Sequence, residues 1–264
     1  MRIIWFAAAL AISGSAALRS EIHDVLKNVD IEAGLAKVNG ISTVYQRPNF
    51  SISLGAQAGA GALETDDAMD EVLFIRRGSG SLQLGDHKYE IGAGDVINVK
   101  RKTAHRLAAP SGRIEYVAVR IAAEGAGKPA SGIRPAARTM PDVLRGSEIA
   151  ETFAKFNANQ PIHSAPNFTL NYVIYTGHSG PFEAHRGCAD IYFLKIGTAN
   201  AQLGGEIRNV KEESPGEPRG DGVDGARRYS VGPGDIVLIP RNTTHHMDPT
   251  SAKLGYVLLK VWVE

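Results

Sequence analysis

The sequence predicts a mainly β protein built of two tandem domains, each opened by a short helix. Three observations predict it. One ordered set of landmarks occurs twice, short strands between glycine-rich turns fill each copy, and an Ala/Gly/Pro-rich segment separates the copies. The first copy carries Asp24-Val25-Leu26, Pro48-Asn49-Phe50, Glu71, Gly78, Gln83-Leu84-Gly85, Gly94-Asp95, His105 and Tyr116. The second carries Asp142-Val143-Leu144, Pro166-Asn167-Phe168, Asp190, Gly197, Gln202-Leu203-Gly204, Gly234-Asp235, His245 and Tyr256. The offset runs from 118 at Asp24/Asp142, through 119 at Gly85/Gly204, to 140 from Gly94/Gly234 onward. The second copy therefore holds 21 extra residues. A period of this size suits a duplicated domain rather than a solenoid.

The elements follow in order. Residues 1–19 have no counterpart in the second copy. Arg2, the apolar run Ile3–Ile12 and the small residues Ser13–Ala17 have the layout of a secretory signal peptide cleaved after Ala17 or nearby. A secreted or periplasmic protein is expected, with no membrane association once the signal is removed. The first domain covers residues 20–121. Its segment 24–38 places Val25, Leu26, Val29, Ile31, Leu35 and Val38 on one helical face, and 142–156 repeats the pattern with Ile149, Phe153 and Phe156. After each helix, runs rich in Val, Ile, Tyr and Phe alternate with Gly, which predicts closely spaced antiparallel strands in a sandwich or small barrel. Residues 122–138 lack apolar periodicity and form a linker, and 139–264 is the second domain. The extra segment 210–227, polar with several Gly and Pro, is expected to be a disordered surface loop.

Composition narrows the function. The 264 residues suffice for two cores, and a net charge of +1 without a basic, aromatic-studded stripe excludes nucleic acid as an expected partner. Cys188 is the single cysteine, so no intrachain disulfide forms. There is no phosphate loop opening a helix, no nucleophile elbow and no CxxC pair.

The strongest local signal is residues 232–246, where a Gly-Asp turn leads into a short apolar strand, then Pro240, a tight turn and His245. Gly234, Pro240 and His245 resemble the second motif of the cupin superfamily. Asn242 stands where that motif has Gly, and Asn tolerates the left-handed turn geometry. In the first copy Gly94 and His105 match, with Lys100 and Lys102 in place of Pro and Gly. The first cupin motif, His-x-His followed by Glu, would be Glu183-x-His185-x4-Asp190 here. The resemblance spans residues 40–121 and 158–264 and implies a bicupin: two jelly-roll β-barrels with the helices outside or between them. It also implies that Glu183, His185, Asp190 and His245 converge on one divalent metal ion (Fe, Mn, Zn or Ni), with all four or only three as ligands. Residues two apart on a strand share a face, so Glu183 and His185 can converge. The equivalent set Glu64, Asp66, Glu71 and His105 has one imidazole and reads as a degenerate site.

The expected function is a mononuclear metal-dependent oxidoreductase or lyase acting on a small organic molecule in the C-terminal barrel, of dioxygenase, decarboxylase, lyase or isomerase type. Glu183 is the general base if it is not a ligand. The alternative is a non-enzymatic carbohydrate- or small-molecule-binding protein, and a homo-oligomer is possible for either. His246 is expected to face outward and His178 to be a turn residue. The recurrence of Phe50/Phe168 and Tyr116/Tyr256 is expected to reflect core packing.

Overall fold

A computed structural model describes residues 24–123 and 138–262. The expected signal peptide and most of the linker lie outside these residues. The chain is mainly β, as expected, with a helix at the head of each copy: Asn28–Lys37 and Gly146–Lys155.

In the first half, strands run in the order Gly40–Gln46, Phe50–Ala60, His105–Ala122, Met69–Arg77, Val96–Val99. The hairpin of Ser79–Leu84 and His87–Gly92 joins through the same long strand His105–Ala122, which thus serves both faces of the barrel. In the second half one sheet runs Ile236–Ile239, Ala189–Ile196, Lys253–Val261, Phe168–Thr176, Gln160–Ser164. Its opposing sheet runs Lys211–Ser214, Glu217–Gly220, Phe182–Glu183, His245–Pro249, Ala199–Leu203, Arg227–Val231. Apolar side chains from both faces fill each half, including Leu73, Leu82 and Ile97 in the first and Leu194, Val237 and Leu254 in the second.

The repeated Asp-Val-Leu element explains itself only in three dimensions. Its residues are strands rather than the first turn of the predicted helices. Val25–Leu26 pairs with Ile236–Val237 of the second half, and Val143–Leu144 pairs with Val96–Ile97 of the first. Each copy thus lends its leading strand to the other. The backbone carbonyls of Asp24 and Asp142 accept from Leu238 and Asn98, which draws these residues out of helical geometry. Their carboxylates accept from the Tyr229 and Tyr89 hydroxyls at 3.0 and 2.7 Å. The repeated Gly-Asp turn completes the exchange. Asp235 accepts from the backbone N–H of Asn28 at 2.7 Å, and Asp95 from that of Gly146 at 2.8 Å. Each carboxylate therefore meets the unpaired N–H groups at the start of the other copy's helix, where the helix dipole favours negative charge. Gly94 and Gly234 turn the chain there at φ 94° and 92°, which a side-chain-bearing residue rarely adopts.

The predicted helical faces hold in part. Ile31, Leu35, Ile149 and Phe153 are buried between the halves, but Val29 is 70% exposed and Phe156 is exposed as well. Val29 lies on the side of its helix away from Ile31 and Leu35, and Phe156 stands past the end of its helix, where the backbone is already extended. The 210–227 segment also departs from expectation. It is ordered, as the hairpin Lys211–Ser214/Glu217–Gly220 and the pair Glu206–Arg208/Gly222–Asp224. Its Gly residues lie in and beside turns of a sheet extension, so composition alone misread it. His246 is buried rather than outward: its ring stacks on Phe182 at 3.8 Å, because the outer face of that strand is covered by residues 181–182.

Where the halves meet, Phe74 and Phe193, equivalent by the 119 offset, stack at 3.6 Å. Arg76 and Lys195 are also equivalent, yet among the described residues only Arg76 has an acid, Glu32, at 3.3 Å. Ala150 stands at the position equivalent to Glu32. Lys195 lies 5.9 Å over the Phe74 ring, and burial, with Arg76 adding, pushes its ammonium down to about 8. The unfolded chain binds this proton up to about pH 10.5, so stability is reduced below pH 8 and climbs as pH rises from about 8 to 10.5. Lys195→Met is therefore expected to stabilise the protein by about 1–2 kcal/mol at pH 7 and to flatten that climb. Urea unfolding at pH 7, 8.5 and 10 checks it; a wild-type curve that is flat across this window removes the explanation.

Candidate metal centre in the second half

Three neighbouring strands assemble one side of the centre. Glu183 stands directly opposite His245 on one flank and Arg219 on the other. His185 follows just past the end of strand Phe182–Glu183, and its carbonyl accepts from the Asn242 N–H at 2.8 Å. Asn242 has φ 60° and Lys102, its counterpart, φ 64°, so the turn before the histidine is left-handed in both copies. The facing sheet supplies Asp190, which is paired in register with Lys260. Between the sheets lies a cavity of about 310 Å³ lined by Glu183, His185, Asp190, Lys260, Glu217 and Arg219, with Tyr175, Tyr192 and Tyr256 on its apolar side.

The residues predicted from the sequence come together here. Glu183 Oε1 lies 3.6 Å from His245 Nε2 and 3.9 Å from His185 Nε2, and Asp190 Oδ2 lies 3.4 Å from His185 Nε2. Among the described residues, the donor atoms of Glu183, His185 and His245 lie within 4.8 Å of one another. Ligands about 2.0–2.2 Å from a shared ion sit roughly 3–4 Å apart, so small side-chain rotations suffice to bring these three onto one ion. His245 Nε2 is buried with no hydrogen-bond partner, while its Nδ1 lies 3.1 Å from the Thr243 carbonyl. That leaves a lone pair aimed at the other two donors. The donor set fits a divalent metal.

The charges are strongly coupled. Burial opposes ionisation of Glu183, but the neighbouring His245 and His185 rings and the Lys260 ammonium outweigh it and hold the carboxyl at about 2. Burial also disfavours the His185 cation; Asp190 and the hydrogen bond to Glu217 overcome this and raise the imidazole to about 9. Asp190, only 1% exposed, is held well below the usual carboxylate range against burial, chiefly by Lys260. Cys188 is buried beside Asp190 and Lys260, and burial pushes its thiol far up, so it is a neutral packing group in this setting. His178 is an exposed turn residue against the Tyr175 ring. Phe50, Phe168 and Tyr256 are buried, and Tyr256 also borders the cavity.

Three site residues escaped sequence reasoning. Lys260 lies 2.9 Å from His185 Nε2 and 3.1 Å from Asp190. Its signal was present: the 140 offset pairs it with Arg120, each a cation within an apolar run at the end of its strand, 116–121 and 256–261. Glu217 and Arg219 have no counterpart in the first copy, so the repeat could not expose them. Glu217 lies 2.6 Å from His185 Nδ1, and Arg219 donates to Glu183 at 3.0 Å.

The first half is arranged differently. His105 Nε2 lies 3.4 Å from Glu71, while Glu64 meets His105 through backbone hydrogen bonds. Asp66 is held by Arg120 and by the backbone N–H groups of Ala68 and Met69.

Comparison with known proteins places the fold. Structures similar across most of the chain include a cupin 2 conserved barrel domain protein from Leptotrichia buccalis (TM-score 0.59, 14% identity, 92% of this chain and 98% of that one). Salicylate 1,2-dioxygenase from Pseudaminobacter salicylatoxidans matches at TM-score 0.64 and 8% identity, over 90% and 83%. A deletion mutant of oxalate decarboxylase from Bacillus subtilis matches at 0.50 and 12%, over 86% and 74%. The fold is that of the cupins. Residues 71–159 also match the AraC-like ligand binding domain, a span that begins in the first half and ends past the second helix. No curated protein matches the sequence.

Proposed function

We propose that this chain is a bicupin whose second barrel holds one divalent metal ion and acts on a small organic molecule. The observation that carries the proposal is the convergence of Glu183, His185 and His245, with the orphaned Nε2 of His245 aimed into the gap between them. Asp190 is either a fourth donor or the permanent partner of Lys260. A bound ion would supply Lewis-acid or redox chemistry at the cavity floor. The chain's own residues do the rest. Glu183 is ionised across the physiological range and can accept a proton from a bound substrate if it is not itself a ligand. Lys260 fixes Asp190 and presents positive charge to the cavity, and the three tyrosines limit its water. Dioxygenase, decarboxylase, lyase and isomerase chemistries all remain compatible, since a fold does not choose among them. The first half, with Asp66 drawn away to Arg120, is a lapsed site on this reading. Export from the cytoplasm, read from residues 1–19, belongs to the same proposal.

Elemental analysis of the purified protein beside a His185→Ala/His245→Ala double variant tests the metal. About one ion per chain, absent from the variant, is expected. No ion in the wild type after incubation with Fe, Mn, Zn and Ni would end the enzyme reading. Glu183→Ala then separates two roles: lost metal makes it a ligand, and retained metal with lost turnover makes it the base. One observation favours a second reading, a non-enzymatic binding barrel: Lys260 already stands beside His185 and Asp190 as a cation of the protein's own. In that case the ligand binds without metal, and His185→Ala weakens ligand binding with no turnover to alter.

A further inference from the structure

The second barrel differs from the first by one large feature, the 21-residue insertion, and that feature reaches the proposed metal donors. Strand Glu217–Gly220 pairs with Phe182–Glu183, and the ladder continues along the donor-bearing segment. Ala184 donates to the Pro218 carbonyl at 3.1 Å and Arg186 to that of Gly216 at 3.0 Å. The residues that follow from this register point inward at two donors. Glu217 Oε2 lies 2.6 Å from Nδ1 of His185, and Arg219 Nε donates to Oε2 of Glu183 at 3.0 Å. In each pair the insertion takes one polar atom, leaving Glu183 Oε1 3.6 Å from His245 Nε2 and 3.9 Å from His185 Nε2, the nitrogen beside which Lys260 stands at 2.9 Å.

We propose that the insertion is a positioning element for the metal site and that Glu217 and Arg219 are its positioning residues. The proposal rests on the metal reading above and adds what makes the second barrel, rather than the first, competent. A carboxylate on Nδ1 requires that nitrogen to carry the proton, so Nε2 presents its lone pair to an ion. The same contact raises the basicity of the ring. Arg219 fixes the Glu183 carboxylate edge-on, so that one oxygen is committed and the other is free. Arg219 is itself anchored by Glu213 at 2.7 Å, and Glu212 accepts from the Gly216 N–H at 2.7 Å and from Arg186 at 3.1 Å. The hairpin is thus clamped before any ion arrives, and the donors are oriented without further ordering cost at binding. In the first barrel strands Ser79–Leu84 and His87–Gly92 are joined by a tight turn, with no such hairpin in this place among the described residues.

The test measures Zn²⁺ and Mn²⁺ binding calorimetrically to the full wild-type chain, Glu217→Ala, Glu217→Gln and Arg219→Met. Glu217→Ala is expected to bind about 10–100-fold more weakly. Glu217→Gln, whose amide oxygen can still accept from Nδ1, should recover most of that loss. Long-range proton–nitrogen spectra of the Zn²⁺ form give a readout that mere structural support would not move. The slowly exchanging Nδ1 proton of His185 should be present in wild type and Glu217→Gln and absent from Glu217→Ala. Equal Zn²⁺ affinity in wild type and Glu217→Ala, both folded by thermal melt, would overturn the positioning role and leave the metal reading standing. A wild type that binds neither of these ions, nor Fe or Ni, would overturn both.

Discussion

Lys260→Met is expected to destabilise the metal-free protein by about 3–5 kcal/mol, the range for removing one partner of a buried ion pair. Asp190 is almost fully enclosed, and the Lys260 ammonium at 3.1 Å is its nearest cation, with His185 Nε2 at 3.4 Å the second. Methionine matches the stem of lysine and packs against the same strands, so the loss would come from the carboxylate left without its counter-charge rather than from a cavity. Two companion measurements distinguish this cause. The Lys260→Met/Asp190→Asn double variant should recover much of the stability, because both charges are then gone. Saturating Zn²⁺ should stabilise Lys260→Met more than wild type, because the ion replaces the missing charge and no longer competes with the ammonium for His185. Equal melting temperatures for Lys260→Met and wild type would show that Lys260 is not the counter-charge Asp190 needs, and the electrostatic account of the site would fall.

Phe193→Ala is expected to cost about 3–5 kcal/mol, the range for deleting a buried phenylalanine. Phe193 sits at the join between the halves, stacked on its own repeat-mate Phe74, and belongs to one apolar cluster shared by both halves, which includes Leu35, Val117, Phe153 and Val257. Because each half also borrows the other's leading strand, the damage should be felt by both barrels at once. A single cooperative transition shifted to lower urea is the expected result. Two separated transitions, with only one displaced, would show that the halves unfold independently despite the exchanged strands.

The fold and the candidate centre were legible in the sequence for different reasons. Duplication exposed the barrels, since landmarks that repeat in order across two diverged copies must serve the architecture. The cupin spacing around Gly234, Pro240 and His245 pointed to the candidate donors, and backward counting from Gly197 reached Asp190, His185 and Glu183. Those four lie close in sequence to turns and strand ends, where spacing translates directly into direction. Lys260 was readable but unread: a cation inside a buried apolar run, matched by Arg120, is a pairing demand in itself. Glu217 and Arg219 were not readable. A polar, glycine-rich stretch has the composition of a loop, and only its pairing with Phe182–Glu183 shows which of its acids and bases meet the histidines.

By itself, then, the sequence determined the mainly β duplicated architecture, the two helices, and the set of residues able to gather around an ion. Those properties depend on local periodicity and on spacing within one strand-turn-strand unit. The tertiary structure alone decided that Asp24-Val25-Leu26 and Asp142-Val143-Leu144 are exchanged strands, that His246 is buried, and that the insertion orders against the site. Each of these is a contact between segments far apart in the chain. Its free energy comes from apolar surface and unpaired polar groups buried by a remote partner, and no local pattern of residues carries the partner's address.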